Sequence, residues 1–271
     1  MLAGLLLAGA GTVPAHAVES DSTAADVPAP AAEPALPDHI VNGDFEYPTG
    51  LRNGNWTLIR PDNATKYDFG KVGFWGAWEP IPGFDAAKFA WRSTQTETAD
   101  HFGGAAGKGA IEIQRYGTSI AQIVESQKNT AIYQDIDTMS ATPVVYHVRL
   151  KHAPMATGDW KTDKMQVLIG PPGHETPVRM TRVKSNGYGD KVGETSDVIA
   201  TTGNFGGMDF DTYEGVVTIP ANQPVTRFSF KSISSHDPTT GNQVDDISFE
   251  KSYPLAYDGN GGSGNLPEQH E

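Results

Sequence analysis

The chain has 271 residues, 33 acidic against 20 basic, a formal charge of −13 and no cysteine. That balance excludes a nucleic-acid binder, which needs a basic face for phosphates, and disfavours an anionic membrane surface. Without cysteine no disulfide can form, and 30 glycines with 19 prolines predict many turns and few long helices.

Residues 1–17, MLAGLLLAGAGTVPAHA, read as the apolar core and cleavage site of a signal peptide. Ala15-His16-Ala17 fits the small-x-small cleavage pattern, and the apolar run is too short and too rich in Gly and Pro to span a bilayer. A basic leader is missing, so the natural start is expected upstream. The mature chain is therefore expected outside the cell, with no membrane span. Residues 18–38 hold five acids, four prolines, no Lys or Arg and no aromatic residue, the composition of a disordered spacer. Residues 39–255 are expected to form one domain, and 256–271 a Gly-rich polar tail.

Within the domain, short alternating runs dominate. They are AIEIQR (110–115), TAIYQDI (130–136), VVYHVRLK (144–151), KMQVLIG (164–170), PVRMTRV (177–183), EGVVTI (214–219) and VTRFSFKSI (225–233). Their β-branched and aromatic content and their period of two predict strands, each sheet having one wet face. Turn-formers such as SNGYGD and IPANQP separate them, and no run keeps a helical period. The fold class predicted is all-β, an antiparallel two-sheet sandwich.

Chemistry-bearing motifs are sparse. G-x-S-x-G, H-E-x-x-H and a cysteine nucleophile are all missing. GGAAGKGA (103–110) lacks the spacing and the Ser or Thr of a phosphate loop and reads as a turn. His147 and His152, five apart in a strand, must point to opposite faces, so they do not form a metal pair. Aromatic residues carry more. Trp56, Trp75, Trp78 and Trp91 read as core or loop cover. Trp160, in TGDWKTD, sits among polar and turn-forming neighbours and is the candidate ligand contact, since a flat π surface can stack on a sugar.

Two terminal motifs bracket the domain. In IVNGDFEYP (40–48), Phe45 reads as a core anchor flanked by Asp44 and Glu46, with a kink at Asn42-Gly43. In GNQVDDISFE (241–250), strict alternation places Asp245 on the face of Ile247 and Phe249, the core face. An inward carboxylate demands either a cationic partner from another strand or a metal ion.

VNGDFE and VDDISF resemble the bracketing strands of galactose-binding-like sandwiches, a group that includes carbohydrate-binding modules of bacterial glycosidases. The ordered set IEIQRYG, AIYQDIDT, VRLKHA, DKMQVLIGPPG, YEGVVTIPANQPVTRFSFKSIS and GNQVDDISF resembles a domain of bacterial exported surface proteins. YPLAYDGNGGSG (253–264) resembles the opening of a Listeria–Bacteroides (internalin B-type) repeat, which marks the chain as the N-terminal piece of a longer surface protein. The resemblance implies a non-catalytic jelly roll stabilised by calcium that binds glycans in some relatives. It also implies that the first and last strands lie together, so that Asp44 or Glu46 meets Asp245 around a structural Ca²⁺. The function expected is an adhesin or glycan-binding module whose partner is a glycan or another cell-surface ligand. The rivals are a structural stalk and a glycoside hydrolase fragment. Two carboxylates facing each other across an open groove would mark the hydrolase.

Overall fold

The computed structural model describes residues 35–68, 78–96, 108–123, 127–155, 163–203, 209–236 and 238–252. The chain divides between Ala35 and Leu36, and every described strand belongs to the unit Leu36–Glu271. Numbered in chain order, the strands are β1 (Asn55–Arg60), β2 (Thr65–Asp68), β3 (Trp78–Pro80), β4 (Arg92–Ser93), β5 (Ile111–Tyr116), β6 (Thr118–Gln122), β7 (Ala131–Asp137) and β8 (Val144–Pro154). They continue as β9 (Lys164–Gly170), β10 (Thr176–Pro177), β11 (Met180–Lys184), β12 (Thr195–Ser196), β13 (Ile199–Ala200), β14 (Asp211–Ile219), β15 (Val225–Ser234) and β16 (Asn242–Lys251).

The larger sheet runs β12-β11-β14-β8-β16-β6-β5-β1-β2-β3, and the smaller runs β10-β9-β15-β7-β4 with β13 beside β9. Every pairing is antiparallel. The predicted two-sheet sandwich is the fold. Helix is confined, among the described residues, to a single α-turn, Ala86–Phe89, and one 3-10 turn, Pro61–Asn63.

The alternating strands put every second residue into one core. Ile132 and Ile136 of β7, Met165, Val167 and Ile169 of β9, and Phe228 and Phe230 of β15 line the small sheet. Tyr146, Val148 and Leu150 of β8, Val244, Ile247 and Phe249 of β16, and Ile111 and Ile113 of β5 face them from the large one. Phe249 stacks on Tyr146 at 4.2 Å and leans on Phe228 at 5.0 Å. As their spacing requires, His147 and His152 part company: His152 is fully buried, and the His147 side chain is 44% exposed.

The segment 40–48 departs from its expected strand form. Asn42 (φ 55°) and Phe45 (φ 52°) both take the left-handed conformation, which no extended strand allows. The Asn42 side chain ties the loop shut, accepting from the Tyr47 N–H and donating to its carbonyl, each at 2.9 Å. Phe45 is nevertheless the core anchor its sequence suggested, fully buried against Trp91 at a ring distance of 5.1 Å. The loop meets β16, because the Gly43 carbonyl accepts from the Ile247 N–H at 3.0 Å. Glycine is required there by proximity: a Cβ on residue 43 would stand 2.0 Å from the Ile247 carbonyl oxygen.

The last strand corrects a second expectation. Val244 lies opposite His152 and Asp245 opposite Lys151, but the next register pair is Ser248 with Arg149. Asp246 and Ile247 therefore share one place on the ladder, a β-bulge at which Asp246 adopts φ 46°. One extra residue inverts the parity of everything before it. Asp245 consequently shares the outer face with Lys151, whereas Ile247 and Phe249 stay in the core.

Candidate functional site

A polar cleft of about 490 Å³ opens where β1 ends and β5 begins. Three short segments build it. Pro61 follows Arg60, ends β1 and starts the 3-10 turn. Ala64, in the left-handed conformation, closes that turn with its N–H on the Pro61 carbonyl and returns the chain as β2. The second wall is Ser93–Thr96. The Thr94 N–H donates to the Ala131 carbonyl, and its hydroxyl accepts from the Ala131 N–H, both at 2.8 Å. The third wall is Lys108–Gly109, fixed by the Gly109 N–H on the Gln95 carbonyl at 2.9 Å.

Asn63, Ser93, Thr94, Gln95 and Thr96, all hydroxyl or amide residues, line the cleft beside two cations, Arg60 and Lys108, with Gln95 itself buried. Asp62 is the one carboxylate among its described lining residues, and it is bound by Arg92. The Arg60 guanidinium lies over the Trp78 ring, 3.8 Å from its centre. Its Nε is buried without an acceptor, and burial lowers the Arg60 pKa from its ordinary value. The ring attracts the cation through its π face and supplies no counter-charge.

A second polar group lies on the face of the large sheet turned away from the core. Glu112, Gln114, Gln122 and Gln243 are each 1% exposed. Gln114 Nε2 donates to Glu112 Oε1 at 2.5 Å and to Gln122 Oε1 at 3.1 Å, and Gln243 Nε2 donates to Gln114 Oε1 at 2.8 Å. The strand register explains the row, which runs from Leu58 through Glu112 and Gln122 to Gln243 on four adjacent strands. Gln243 Oε1 is buried with no hydrogen-bond partner. At this depth the row is closed to a ligand, whereas the cleft at Arg60 is open and larger than the pocket of about 210 Å³ beside Arg182 and Tyr213.

A third group centres on Arg182. Its guanidinium contacts Glu194 at 2.6 Å, Asp211 at 2.7 Å and Asp190 at 3.8 Å, and it donates to the Tyr213 hydroxyl at 2.9 Å. His152 lies close by, held between Thr201 at 2.8 Å and Asn242 at 2.9 Å. Burial pushes the His152 pKa down to about 4, against the Asn242 hydrogen bond, so the ring is neutral near pH 7.

The carboxylates singled out in the sequence divide. Burial pushes Asp245 up to about 7, the charges of Asp246 and Asp44 adding to it and the Asp246 N–H and Lys151 opposing. Lys151 stands opposite Asp245 in register but pairs with the exposed Asp246. Of the two acids in the first bracketing motif, Asp44 is the one whose charge acts on Asp245. Glu46 is engaged elsewhere, binding Arg115 at 2.6 Å and accepting from Ser119 at 2.8 Å and Thr118 at 3.1 Å. Among the described residues no three His, Cys, Asp or Glu side chains gather in a set suited to a metal ion. Trp160, Trp75 and the 253–264 motif lie outside the described residues. Nothing in the sequence marked Arg60 or Lys108, because pairing between cations and carboxylates is a property of the fold.

No family model matches the sequence, and no curated protein does. Among solved structures, the native family 35 carbohydrate binding module from Clostridium thermocellum is similar at 11% identity over 58% of this chain and 86% of that one, with a TM-score of 0.30. TmCBM61 in complex with beta-1,4-galactotriose is similar at 12% identity over 60% of this chain and 88% of that one, with a TM-score of 0.31. The enzymatically active domain of tailspike protein 4 from bacteriophage CBA120 is similar at 12% identity over 80% of this chain and 22% of that one, with a TM-score of 0.28.

Proposed function

We propose that the sandwich is a non-catalytic carbohydrate-binding module displayed outside the cell, and that its sugar sits in the cleft between Arg60, Ser93–Thr96 and Lys108. The cleft itself carries this reading. Its volume of about 490 Å³ lies within the usual range for small-molecule sites, and its hydroxyls, amides and cations are the donors and acceptors a polyol needs. The leader-like residues 1–17 support an extracellular location. Trp160 is an additional stacking contact in this proposal, and Trp160→Ala is expected to weaken the binding of an identified glycan.

Binding is favoured over hydrolysis by one observation. Glycoside cleavage uses two carboxyl groups across the substrate. Asp62 is the single carboxylate among the described lining residues, and Arg92 engages it.

A glycan-array screen of the full chain, with calcium present and absent, tests the proposal. A saturable response to one related group of glycans is expected. A blank array under both conditions would favour the stalk role instead.

A further inference from the structure

Arg60 is set apart from the other arginines of the described residues. Arg92, Arg115, Arg149, Arg179, Arg182 and Arg227 all contact a carboxylate. Arg52 has no such partner but is exposed to water. Arg60 is partly buried, has no carboxylate partner among the described residues, and leaves its Nε without an acceptor. A cation withdrawn from water without a counter-ion costs free energy. The exposed Lys108 adds a second cation that has no carboxylate partner among the described residues. With Arg92 bound to Asp62, three cations accompany the one carboxylate among the described lining residues, in a chain whose formal charge is −13. The local sign is thus the reverse of the global one.

We infer that the cleft takes an acidic sugar, with the anionic substituent seated between Arg60 and Lys108 and the ring hydroxyls on the Ser93–Thr96 wall. The inference rests on the glycan-binding reading and narrows it. The planar guanidinium, seated over the Trp78 ring, offers its donors in one plane, which suits two oxygens of a carboxylate or a sulfate ester. Lys108 contributes a point charge from the other wall. The neutral hydroxyls and amides between them have no preference for charge and leave selection to the two cations. An acidic ligand would also supply the counter-charge that Arg60 lacks.

Calorimetric titration of the full chain tests this with D-glucuronate, D-galacturonate and D-galactose 6-sulfate set against D-glucose and D-galactose. An acidic sugar is expected to bind about tenfold or more tightly than its neutral parent, the size typical of a hydrogen bond to a charged group. The advantage should shrink at high salt. Arg60→Met and Lys108→Met should each remove most of it, and Lys231→Met, on the exposed side of β15, should not. Preference for the uronates identifies a carboxylate ligand, and preference for the 6-sulfate identifies a sulfate ester. Equal affinity for acidic and neutral sugars would overturn the inference and leave glycan binding standing. Failure of every sugar to bind would overturn both. If Arg60→Met does not fold, Lys108→Met decides alone, and an acidic preference that survives it places the anion outside this cleft.

Discussion

Arg182 is buried and Arg60 half-buried, and their surroundings are opposite. The Arg182 side chain is 5% exposed and is met by Asp211, Asp190, Glu194 and the Tyr213 hydroxyl. Burial works against its charge, but these neighbours outweigh that penalty and hold its pKa above the ordinary value. The approach of Asp211 is less regular. Its Oδ2 lies 2.7 Å from Arg182 Nε yet makes no aligned hydrogen bond, so the contact is one of charge rather than directed bonding. Arg60 has a ring beneath it and no carboxylate partner among the described residues. A cation surrounded by its own fold's acids is spent on structure. A cation with none is available to something that arrives.

Arg182→Met should have the largest effect. It would leave Asp190, 4% exposed, and the fully buried Asp211 side chain without their cation. Removing one partner from such a cluster typically costs about 3–5 kcal/mol, so the melting temperature should fall steeply or folding should fail. A loss below about 1 kcal/mol would show that the cluster does not need its arginine.

Asp245 extends the comparison to a carboxylate. Its pKa near 7 exceeds the ordinary 3.8, so between these values the folded state holds a proton that the unfolded state has lost. The stability it contributes is full below about pH 4 and is lost as pH rises through 7. Asp245→Asn should stabilise the fold at pH 7–8 by on the order of a few kcal/mol, seen as a higher melting temperature, and flatten the pH profile between 4 and 7. A variant with the same slope as the wild type in that window would assign the pH dependence to other groups.

A third effect, smaller again, concerns calcium. If Asp44 and Asp245 hold Ca²⁺, excess calcium should raise the wild-type melting temperature near pH 7.5, EDTA should lower it, and Asp245→Asn should respond to neither. Saturation a hundredfold above Kd would be worth about 2.7 kcal/mol. Superimposable wild-type curves would leave Asp245 to its proton and to Lys151.

The smallest effect on stability belongs to Arg60→Met, expected to stay within about 1 kcal/mol of wild type because no ion pair is lost. A destabilisation equal to that of Arg182→Met would erase the contrast between the two arginines.

The sequence made the long alternating strands legible, since β7, β8, β9, β14 and β15 each carry a period of two. It concealed β6, TSIAQ, whose Thr, Ala and Gln give no apolar alternation, and the short β2 and β3 pair beside Tyr67 and Trp78. It misdirected Asp245, because a bulge is set by backbone geometry at Asp246 and not by the pattern of hydrophobic residues. It also took 40–48 for a strand where Asn42 and Phe45 require left-handed turns. The cleft was illegible for another reason. Arg60, Ser93 and Lys108 come from separate parts of the chain, and the absence of an acid beside Arg60 exists only once the chain is folded.

Hydrogen–deuterium exchange of the full chain, with and without the tightest-binding array glycan, locates the bound sugar. Slowed exchange is expected at 61–64, 93–96 and 108–111, the backbone around the cleft, with little change along β11 and β14 beside Arg182. Protection confined to β11 and β14, or bound glycan with no protection at the three cleft segments, would contradict it.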